Sequence, residues 1–295
     1  MSSGPIANHV IAALSSYGDF RDYRSGLISH EDYLNWLEAN AEELEGVVGG
    51  RRNLRFLASR YPPDFEANAE RIFEDLLREE LVQGRPNKDE FRRFRSRMEE
   101  LFDHDGFRTY IHPDEAQLAY MLSMAVKPKR MVAMGSYYGY WAIWALPGVA
   151  EGGGEAWLID PNPAVCDLAR RNLKRLGYDK IAAVITSRAE EVIPTLQGEV
   201  DLAMLDADGD HTYPPIYRGK GIYALLAELI APRMREGGLL LVHNDYLPNV
   251  GANRLSKPFL EPLCSRIELF HQVCSRNFSR GYVAPTPDGF GVYRR

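Results

Sequence analysis

Five short apolar runs between residues 130 and 243 limit this chain to a small set of folds. In order they are RMVAMG, EAWLID, IAAVIT, VDLAML and GLLLVH, and the segments between them carry helical patterns. Short apolar runs that alternate with helices are typical of parallel strands buried on both faces. The sequence therefore predicts an α/β domain built on a doubly wound sheet.

The residues before this region predict helices only. Two segments, SHEDYLNWLEANAEEL and DFEANAERIFEDLLREEL, place apolar side chains at helical spacing, and Ser29 opens the first of them as a candidate N-cap. Turn residues in LFDHDG, residues 101–106, separate the two regions. We expect a helical segment at residues 1–105, which covers the substrate side or forms a homodimer, and an α/β domain at residues 106–295.

Charge and composition argue against nucleic acid and membranes as partners. The formal net charge is -6, and the basic segment FRRFRSR at residues 91–97 is interpreted as an amphipathic helix with a solvated basic face. No apolar run reaches membrane-spanning length, and no signal pattern opens the sequence. The three cysteines form neither a disulfide framework nor a CxxC pair. We expect a cytoplasmic protein that acts on a small molecule.

A glycine turn follows the first apolar run. In GSYYGYW, residues 135–141, Gly135 and Gly139 permit a tight turn into a helix and a close approach of a ligand to the backbone. The second run ends in Asp160, where a carboxylate can accept hydrogen bonds from ribose hydroxyls. Together these features predict a nucleoside-bearing cofactor, whereas the turn alone is equally well explained as a plain connection. Without a GxGxxG pattern, a nicotinamide oxidoreductase is the weakest alternative.

A polar loop follows the fourth run. The stretch LDADGDHTY, residues 205–213, contains three aspartates on alternate positions, beginning with Asp206, and then His211. A calcium-binding EF-hand loop would need glycine at its sixth position and glutamate at its twelfth, where this chain has histidine and tyrosine. The carboxylates lie just past the end of a predicted strand, which is where open α/β sheets bind ligands.

The order of these features resembles that of the O-methyltransferases of the catechol and caffeoyl-CoA type. The similarity runs through IHPDEAQLAYMLSMAVKPKRMVAMGSYYGY, WLIDPNPAVCDLARRNLKRLG, VDLAMLDAD and REGGLLLVHN, and it closes with PDGFGVYRR. It covers roughly residues 108–295. The resemblance implies a Rossmann-like methyltransferase sheet and S-adenosylmethionine as the cofactor.

Three segments would hold this cofactor if the resemblance is carried over. The glycine turn takes the methionine part, the acid that ends the second strand takes the ribose, and the segment after the third strand lines the adenine. The positions that match are Gly135, Ser136, Tyr138, Gly139 and Tyr140, then Asp160, then Ser187, Arg188 and Ala189, and finally Asp206. The chain departs from the pattern at Ala133, where the family has an acidic residue that contacts the cofactor.

The resemblance also implies a divalent cation that orients two adjacent hydroxyls of the substrate. Asp206 would be its first ligand, followed by an Asp-Asn pair that here reads His243 and Asn244. An imidazole in place of a carboxylate favours softer cations than magnesium. Three interpretations stay open: a magnesium site that recruits Asp208 or Asp245, a site for iron, manganese or zinc, and no metal at all.

The sequence thus predicts an S-adenosylmethionine-dependent methyltransferase that acts on a hydroxyl of a small aromatic molecule with the help of a divalent metal. Asp206 and His243 would activate the acceptor. One alternative is metal-independent transfer to nitrogen or carbon, with His243 or His211 as the general base. The other is a methyltransferase-like domain that binds without catalysis. Acceptor specificity is expected from the N-terminal helices and from the loop at residues 246–258.

Overall fold

A seven-stranded sheet forms the centre of the molecule. The structure is a computed structural model that describes residues 8–51, 53–54, 57, 64–109, 111–247 and 257–295. The strands are β1 (Arg130–Met134), β2 (Glu155–Asp160), β3 (Ala182–Thr186), β4 (Val200–Leu205), β5 (Met234–His243), β6 (Arg280–Ala284) and β7 (Phe290–Arg294). Their order in the sheet is β3-β2-β1-β4-β5-β7-β6. Strands β1 to β5 pair in parallel, and β7 runs antiparallel to its neighbours β5 and β6.

Helices cover both faces of this sheet, which confirms the predicted doubly wound α/β class. The helices of the described residues are α1 (Asn8–Leu14), α2 (Gly18–Arg24), α3 (His30–Ala39), α4 (Ala41–Val47), α5 (Phe65–Arg78), α6 (Lys88–Leu101), α7 (Pro113–Val126), α8 (Tyr140–Gly152), α9 (Pro163–Leu176), α10 (Ala189–Val192), α11 (Ile222–Ile230), α12 (Lys257–Arg266) and α13 (Glu268–Asn277). Alternate residues of a strand point to opposite faces. Accordingly, Met131 and Ala133 of β1 join one hydrophobic core, whereas Val132 and Met134 join another.

The carboxyl ends of four strands meet at one edge of the sheet. Met134, the last residue of β1, lies in register with Ile159 of β2 and with Leu205 of β4, and Leu205 lies in register with Val242 of β5. The residues that end or follow these strands therefore lie together. The strand order also reverses between β1 and β4, and ligands bind at such a switch point in doubly wound sheets.

The N-terminal segment is helical as predicted, with one difference. Ser29 caps α3, because its side chain accepts the Asp32 amide while the Asp32 side chain accepts the Ser29 amide. The predicted single helix is divided at Asn40, which ends α3 with φ -109° and ψ 17°. The Asn40 side chain donates to the Trp36 carbonyl at 2.8 Å, and such local bonds compete with continuation of a helix.

Buried side chains of the N-terminal segment divide between two cores. Leu37 and Leu57 belong to a separate core formed by α1–α4 and the residues that follow them. Phe73 of α5 and Phe94 of α6 instead join the core on one face of the sheet. The buried face of α6 agrees with the amphipathic interpretation of FRRFRSR. The boundary at residue 105 stays a prediction, but the cores themselves divide between Leu57 and Ala69.

Strand β6 was not among the predicted runs. Its sequence, RGYVA, begins with two exposed residues, one of them a glycine, so it lacks a continuous apolar signal. Most of the loop predicted to set acceptor specificity, residues 248–256, lies outside the described residues. Among the helices that are described, none is long and apolar enough to cross a membrane.

Candidate active site

The turn after β1 brings backbone amides to the carboxyl edge of the sheet. Gly135 has φ +74°, and a Cβ atom there would lie 2.5 Å from Cα of Ala207 and 2.6 Å from its nitrogen. Gly139 has φ +85° and precedes α8. The amides of Gly135 and Ser136 both donate to the Ile159 carbonyl, at 3.0 and 2.9 Å. The turn is therefore fixed against β2, and only glycine fits at position 135.

Asp160 ends β2 beside this turn. Its Oδ2 accepts a hydrogen bond from the Tyr137 amide at 2.9 Å, and its Oδ1 accepts one from the Asn162 amide at 2.9 Å. Asp160 is only 9% exposed, and burial raises its pKa above the ordinary value although both amides favour the charged form. Each carboxylate oxygen has a second lone pair. The side chain can therefore accept further hydrogen bonds from a ligand.

The segment after β3 lies across the same edge. The Arg188 guanidinium donates to Oδ2 of Asp210 at 3.1 Å and to the Thr212 hydroxyl at 3.0 Å. It also lies 4.8 Å from the ring centroid of Tyr213. The third aspartate of the polar loop thus anchors Arg188. The Ser187 hydroxyl instead donates to Glu191 at 2.8 Å, within its own segment.

The aromatic residues of the turn divide between two surroundings. Tyr137 has φ +50° and is 43% exposed, an uncommon backbone conformation for a residue other than glycine. Tyr138 is fully buried, and its hydroxyl lies 3.0 Å from Nδ1 of His104. Ser136, Tyr138 and Tyr140 line a small cavity of about 70 Å³ beside the turn. Of the adjacent pair, Tyr137 is thus partly exposed at the turn, and Tyr138 packs in the interior.

The loop after β4 folds back on itself and brings Lys220 to Asp206. Gly209 and Gly219 pair through two backbone hydrogen bonds of 2.9 and 2.8 Å. The next residue, Lys220, donates from Nζ to Oδ1 of Asp206 at 2.7 Å, and the same Nζ lies 3.3 Å from Oδ2 of Asp208. A cation of the chain itself therefore lies against the carboxylate that sequence reasoning assigned to a metal.

Asp206 lies between Lys220 and His243. Its Oδ2 is 3.2 Å from Nδ1 of His243, and its Oδ1 accepts a 3.3 Å hydrogen bond from the Tyr223 hydroxyl. Burial acts to raise the pKa of Asp206, but Lys220 and His243 outweigh it and hold that pKa well below the usual range. Burial acts to lower the pKa of Lys220, but Asp206 and Asp208 outweigh it and raise that pKa. The pair is therefore charged at neutral pH.

On the other side of its ring, His243 meets a buried cluster of acids. Its Nε2 lies 3.4 Å from Oε2 of Glu115 and 3.9 Å from Oδ2 of Asp288. Nε2 of His112 lies 3.5 Å from the same Asp288 oxygen. Burial acts to lower the pKa of His243, but Asp206 and Glu115 outweigh it and raise that pKa well above the usual value. We call Glu115, His243 and Asp288 the buried cluster.

Two further residues predicted near a metal make other contacts. Asn244 has φ +57°, and its side-chain amide donates to the Tyr246 hydroxyl at 3.4 Å. The Asp245 carboxylate is fully buried, accepts a hydrogen bond from the Tyr293 hydroxyl at 2.7 Å and lies 2.6 Å from Nε2 of His271. Asp245 therefore connects β5 with β7 and α13.

Asp208 and His211 lie on the outer side of the polar loop. The Asp208 side chain is 68% exposed, although it lies on the rim of the main cavity. His211 is exposed and is not among the described residues that line that cavity. Its carbonyl accepts a hydrogen bond from Arg218 at 3.1 Å, which holds the loop backbone.

One cavity of about 860 Å³ connects the groups at the carboxyl edge. Of the predicted cofactor residues, it is lined by Gly135, Asp160, Arg188, Ala189 and Asp206; of the predicted acceptor-side residues, by His243, Asn244 and Asp208. Lys220 and Asp288 also line it, together with Asn53 from the N-terminal segment and Leu263 from α12. Ser187 and Gly139 do not line it among the described residues.

Sequence reasoning missed Lys220, Glu115 and Asp288. Lys220 lies 14 positions from Asp206, and only the pairing of Gly209 with Gly219 brings it there. Glu115 opens an apolar helix, where an acid is expected as part of a cap, and its side chain does accept the His112 amide at 3.0 Å. Nothing in the sequence next to Lys220 indicates its contact with Asp206, and nothing next to Glu115 indicates its contact with His243.

A doubly wound sheet with a glycine turn after β1, an acid ending β2 and an antiparallel β7 defines the class I methyltransferase fold. Residues 132–245 match the sequence model of a family described as a methyltransferase domain. A catechol O-methyltransferase of Mycobacterium tuberculosis is 26% identical over 148 residues, which cover 50% of this chain and 67% of that protein. Two other curated relatives are matched over only 16% and 38% of their own lengths.

Solved structures share this fold. An S-adenosylhomocysteine-bound methyltransferase of Podospora anserina matches with a TM-score of 0.50 and 19% identity, over 79% of this chain and 97% of that chain. A Klebsiella pneumoniae protein assigned as an O-methyltransferase matches with a TM-score of 0.53 and 16% identity, over 76% and 96%. The fold and sequence matches together make the chain similar to class I S-adenosylmethionine-dependent methyltransferases, including the catechol type of O-methyltransferase.

Proposed function

We propose that the protein transfers the methyl group of S-adenosylmethionine to a hydroxyl oxygen of a small aromatic molecule. One observation carries this proposal: a single cavity of about 860 Å³ joins the glycine turn and Asp160 to the charged pair of Asp206 and Lys220. Methyl transfer needs cofactor and acceptor held side by side in one site. A cavity of this size lies in the range that small ligands occupy.

The residues around the turn fit the cofactor. Gly135 leaves its backbone open to a ligand, and Asp160 keeps lone pairs for ribose hydroxyls. Arg188 and Ala189, which line the cavity beyond Asp160, would flank the adenine. When bound, S-adenosylmethionine supplies a methyl group on a positively charged sulfur. We assign Ser136, Tyr138, Gly139 and Tyr140 to the shape of the turn.

We assign Lys220 to the stabilisation of the acceptor oxygen. An acceptor hydroxyl that receives the methyl group would have to lose its proton. A fixed ammonium beside the hydroxyl lowers its pKa and stabilises the oxyanion. Lys220 is held at the cavity wall by Asp206 and Asp208, at 2.7 and 3.3 Å. The acceptor proton then passes to water in the cavity.

The two histidines considered as general bases have less support. Nδ1 of His243 faces Asp206 and Nε2 faces Glu115, at 3.2 and 3.4 Å. Each ring nitrogen of His243 therefore faces a carboxylate of the chain itself rather than the hydroxyl of an acceptor. His211 is exposed and does not line the cavity among the described residues. A mechanism that uses Lys220 electrostatically needs neither histidine as a base.

A divalent cation at Asp206 does not fit the residues present. The Lys220 ammonium already lies 2.7 Å from Oδ1 of that carboxylate, and a second cation beside it would be repelled. Both oxygens of the Asp245 carboxylate are engaged, one by Tyr293 and the other by His271. At this position Lys220 itself supplies the positive charge that a metal would supply.

We also propose that the N-terminal helices form part of the acceptor side. Asn53 lines the cavity, and its side chain donates to the Val48 carbonyl at 2.7 Å, which fixes it to the end of α4. A segment with its own core that reaches the cavity is suited to cover a substrate. Whether these helices also form a homodimer stays a prediction.

A matched set of acceptors tests the proposed function. The purified protein is incubated with S-adenosylmethionine and with catechol, phenol or aniline, and both S-adenosylhomocysteine release and product mass are measured. We expect methylated product from the hydroxyl compounds and none from aniline. Product from aniline alone would support the nitrogen-directed alternative. S-adenosylhomocysteine binding without transfer to any acceptor would support a binding domain.

A further inference from the structure

The buried cluster lies behind the acceptor side of the cavity, and the proposed mechanism does not use its acids. Glu115 comes from the first turn of α7, His243 from the end of β5, and Asp288 from the turn between β6 and β7. The three residues are remote in sequence, yet the fold brings one ligand atom from each within 4.8 Å of the others. Imidazole and carboxylate groups in such a convergent arrangement are the donors that divalent metals use.

The atoms of this cluster are too far apart for direct hydrogen bonds, and the shorter of the two separations from Nε2 matches that of two ligands on one tetrahedral metal. Nε2 of His243 lies 3.4 Å from Oε2 of Glu115 and 3.9 Å from Oδ2 of Asp288. Two ligand atoms that each lie about 2.0–2.2 Å from a tetrahedral metal are separated by about 3.3–3.6 Å. Direct hydrogen bonds between nitrogen and oxygen are usually shorter, at about 2.7–3.2 Å.

Two atoms of the cluster make no hydrogen bond among the described residues. These are Nε2 of His243 and Oδ2 of Asp288, both of which are buried. His243 is only 2% exposed. Buried polar atoms in folded proteins are nearly always satisfied, so these atoms point to a group that binds between them.

The residues around the cluster hold its ligands in place. Oε1 of Glu115 accepts hydrogen bonds from the Thr286 hydroxyl at 2.7 Å and from the Asp288 amide at 3.3 Å, and Oε2 accepts the His112 amide at 3.0 Å. Asp206 lies beside Nδ1 of His243, where a carboxylate ordinarily orients a histidine that binds metal through Nε2. The surroundings that tune a metal site are therefore present.

We propose that Glu115, His243 and Asp288 form a binding site for one divalent transition-metal cation. The cation would link Nε2 of His243 to the two carboxylates, on the side of the ring opposite to Asp206 and Lys220. One imidazole with two carboxylates suits Zn²⁺, Mn²⁺ or Fe²⁺ better than Mg²⁺. Because His243 and Asp288 also line the main cavity, the site would be reached from the acceptor side.

Metal content provides a test that does not depend on turnover. The full chain is treated with a chelator, loaded separately with Zn²⁺, Mn²⁺, Fe²⁺ under anaerobic conditions and Mg²⁺, and desalted before elemental analysis. We expect about one ion per chain for at least one of the first three and little retained Mg²⁺. Titration calorimetry with the retained ion then gives its Kd.

Three variants connect the ion to the cluster. Glu115→Gln and Asp288→Asn each remove one carboxylate at nearly constant volume, and each should weaken binding of the retained ion by at least about tenfold. Asp245→Asn is the matched control, because it also changes a buried acid on the carboxyl side of β5 but lies outside the cluster. We expect it to retain the ion. Circular dichroism checks that each variant is folded.

The outcomes separate this inference from the proposed function. Folded wild-type protein that binds S-adenosylhomocysteine but retains none of the four ions would overturn the metal site and leave an ion-paired cluster only. Loss of the ion in Asp245→Asn, but not in the folded variants of Glu115 and Asp288, would also overturn it. Metal retention without S-adenosylhomocysteine binding would instead refute the methyltransferase proposal.

Discussion

At the scale of single residues, Lys220 has the clearest functional consequence. Its ammonium is held by Asp206 and Asp208, so it presents a fixed positive charge to the cavity. A charge that is already oriented needs little reorganisation when an oxyanion develops beside it. In our proposal, Lys220 thus stabilises the acceptor oxyanion beside Asp206, a function that the sequence resemblance assigned to a metal.

Replacing Lys220 by methionine keeps the length of the side chain and removes its charge. We expect Lys220→Met to lower kcat for a hydroxyl acceptor by about 10²–10³-fold, the usual loss when one stabilising group for an oxyanion is removed. The Kd for S-adenosylhomocysteine should change little. Steady-state kinetics and calorimetry measure the two quantities. The control is Lys180→Met at an exposed position, and an unchanged kcat in Lys220→Met would exclude the assigned role.

Asp160→Asn tests the cofactor side. A hydrogen bond to a charged group contributes about 1.5–3 kcal/mol, so we expect a Kd for S-adenosylhomocysteine that is about 10–100-fold weaker. Asp201→Asn is the matched control, since Asp201 also accepts a backbone amide, that of Arg130 at 2.8 Å, but lies near the amino end of β4. Equal affinity in the two variants would contradict the assignment of the ribose to Asp160.

Sequence reasoning finds the cavity residues that directly end or follow a predicted strand. Gly135, Asp160 and Asp206 end or follow apolar runs, and all three line the cavity. Lys220 and Asp288 reach it through a glycine bridge and a hairpin turn, and their positions depend on contacts remote in sequence. Asp245 follows β5 as well, but the positive φ of Asn244 interrupts the strand before it, and its side chain contacts Tyr293 and His271 instead.

At the scale of elements, the connection between β1 and α8 controls the cofactor side. Its conformation rests on positive φ angles at Gly135, Tyr137 and Gly139. The connection also approaches the backbone after β4 so closely that no side chain fits at Gly135. A change of backbone here would therefore displace the amide that Asp160 accepts.

Gly135 requires glycine for two reasons, its positive φ and the lack of room for a Cβ atom. A comparison of Gly135→Ala with Gly153→Ala separates these two effects. Gly153 also has a positive φ, +62°, but the nearest atom to an added Cβ is Nζ of Lys129 at 3.8 Å. The control should therefore lose only about 1–2 kcal/mol of unfolding free energy. We expect a larger loss for Gly135→Ala, together with loss of S-adenosylhomocysteine binding. Urea unfolding and calorimetry test this, and equal effects of the two changes would contradict it.

Elements with a continuous apolar signal were predicted, and elements without one were not. Each of the five parallel strands overlaps a predicted run, although β5 begins at Met234, four residues before GLLLVH. The apolar signal is strongest in β1 and β4, where all residues but one are buried. Strand β6 lies at the edge of the sheet and pairs only with β7, so its sequence is under less constraint. The division of the first predicted helix at Asn40 depends on one side-chain hydrogen bond that periodicity does not reveal.

At the scale of the whole molecule, the separate core of α1–α4 has a consequence for stability. This core holds Val10, Leu37 and Leu57, and among the residues that the structure describes it shares no buried residue with the two cores of the sheet. Regions with their own cores often open independently of the rest of a protein. The N-terminal segment is therefore expected to lose protection while the sheet stays folded.

Leu37→Ala tests this independence. Leu37 is fully buried, and truncation of such a leucine costs about 2–5 kcal/mol. We expect faster hydrogen exchange at residues 10–57 with unchanged protection in β1 to β5, and nearly unchanged S-adenosylhomocysteine affinity. Leu241→Ala, a fully buried leucine in β5, should instead raise exchange across the sheet. Faster exchange of both regions in Leu37→Ala would show a single cooperative unit.

The hairpin of β6 and β7 has a further consequence for the order in which the site is assembled. The Thr286 hydroxyl and the Glu115 carboxylate that it holds are 171 positions apart, so this contact requires closure of a long loop. The contact between the glycine turn and Asp160 forms once β1 pairs with β2. The two residues that it joins, Tyr137 and Asp160, are only 23 positions apart. Contacts between distant residues form slowly. We therefore expect the cofactor side to mature early in folding and the acceptor side to be completed only when the hairpin docks.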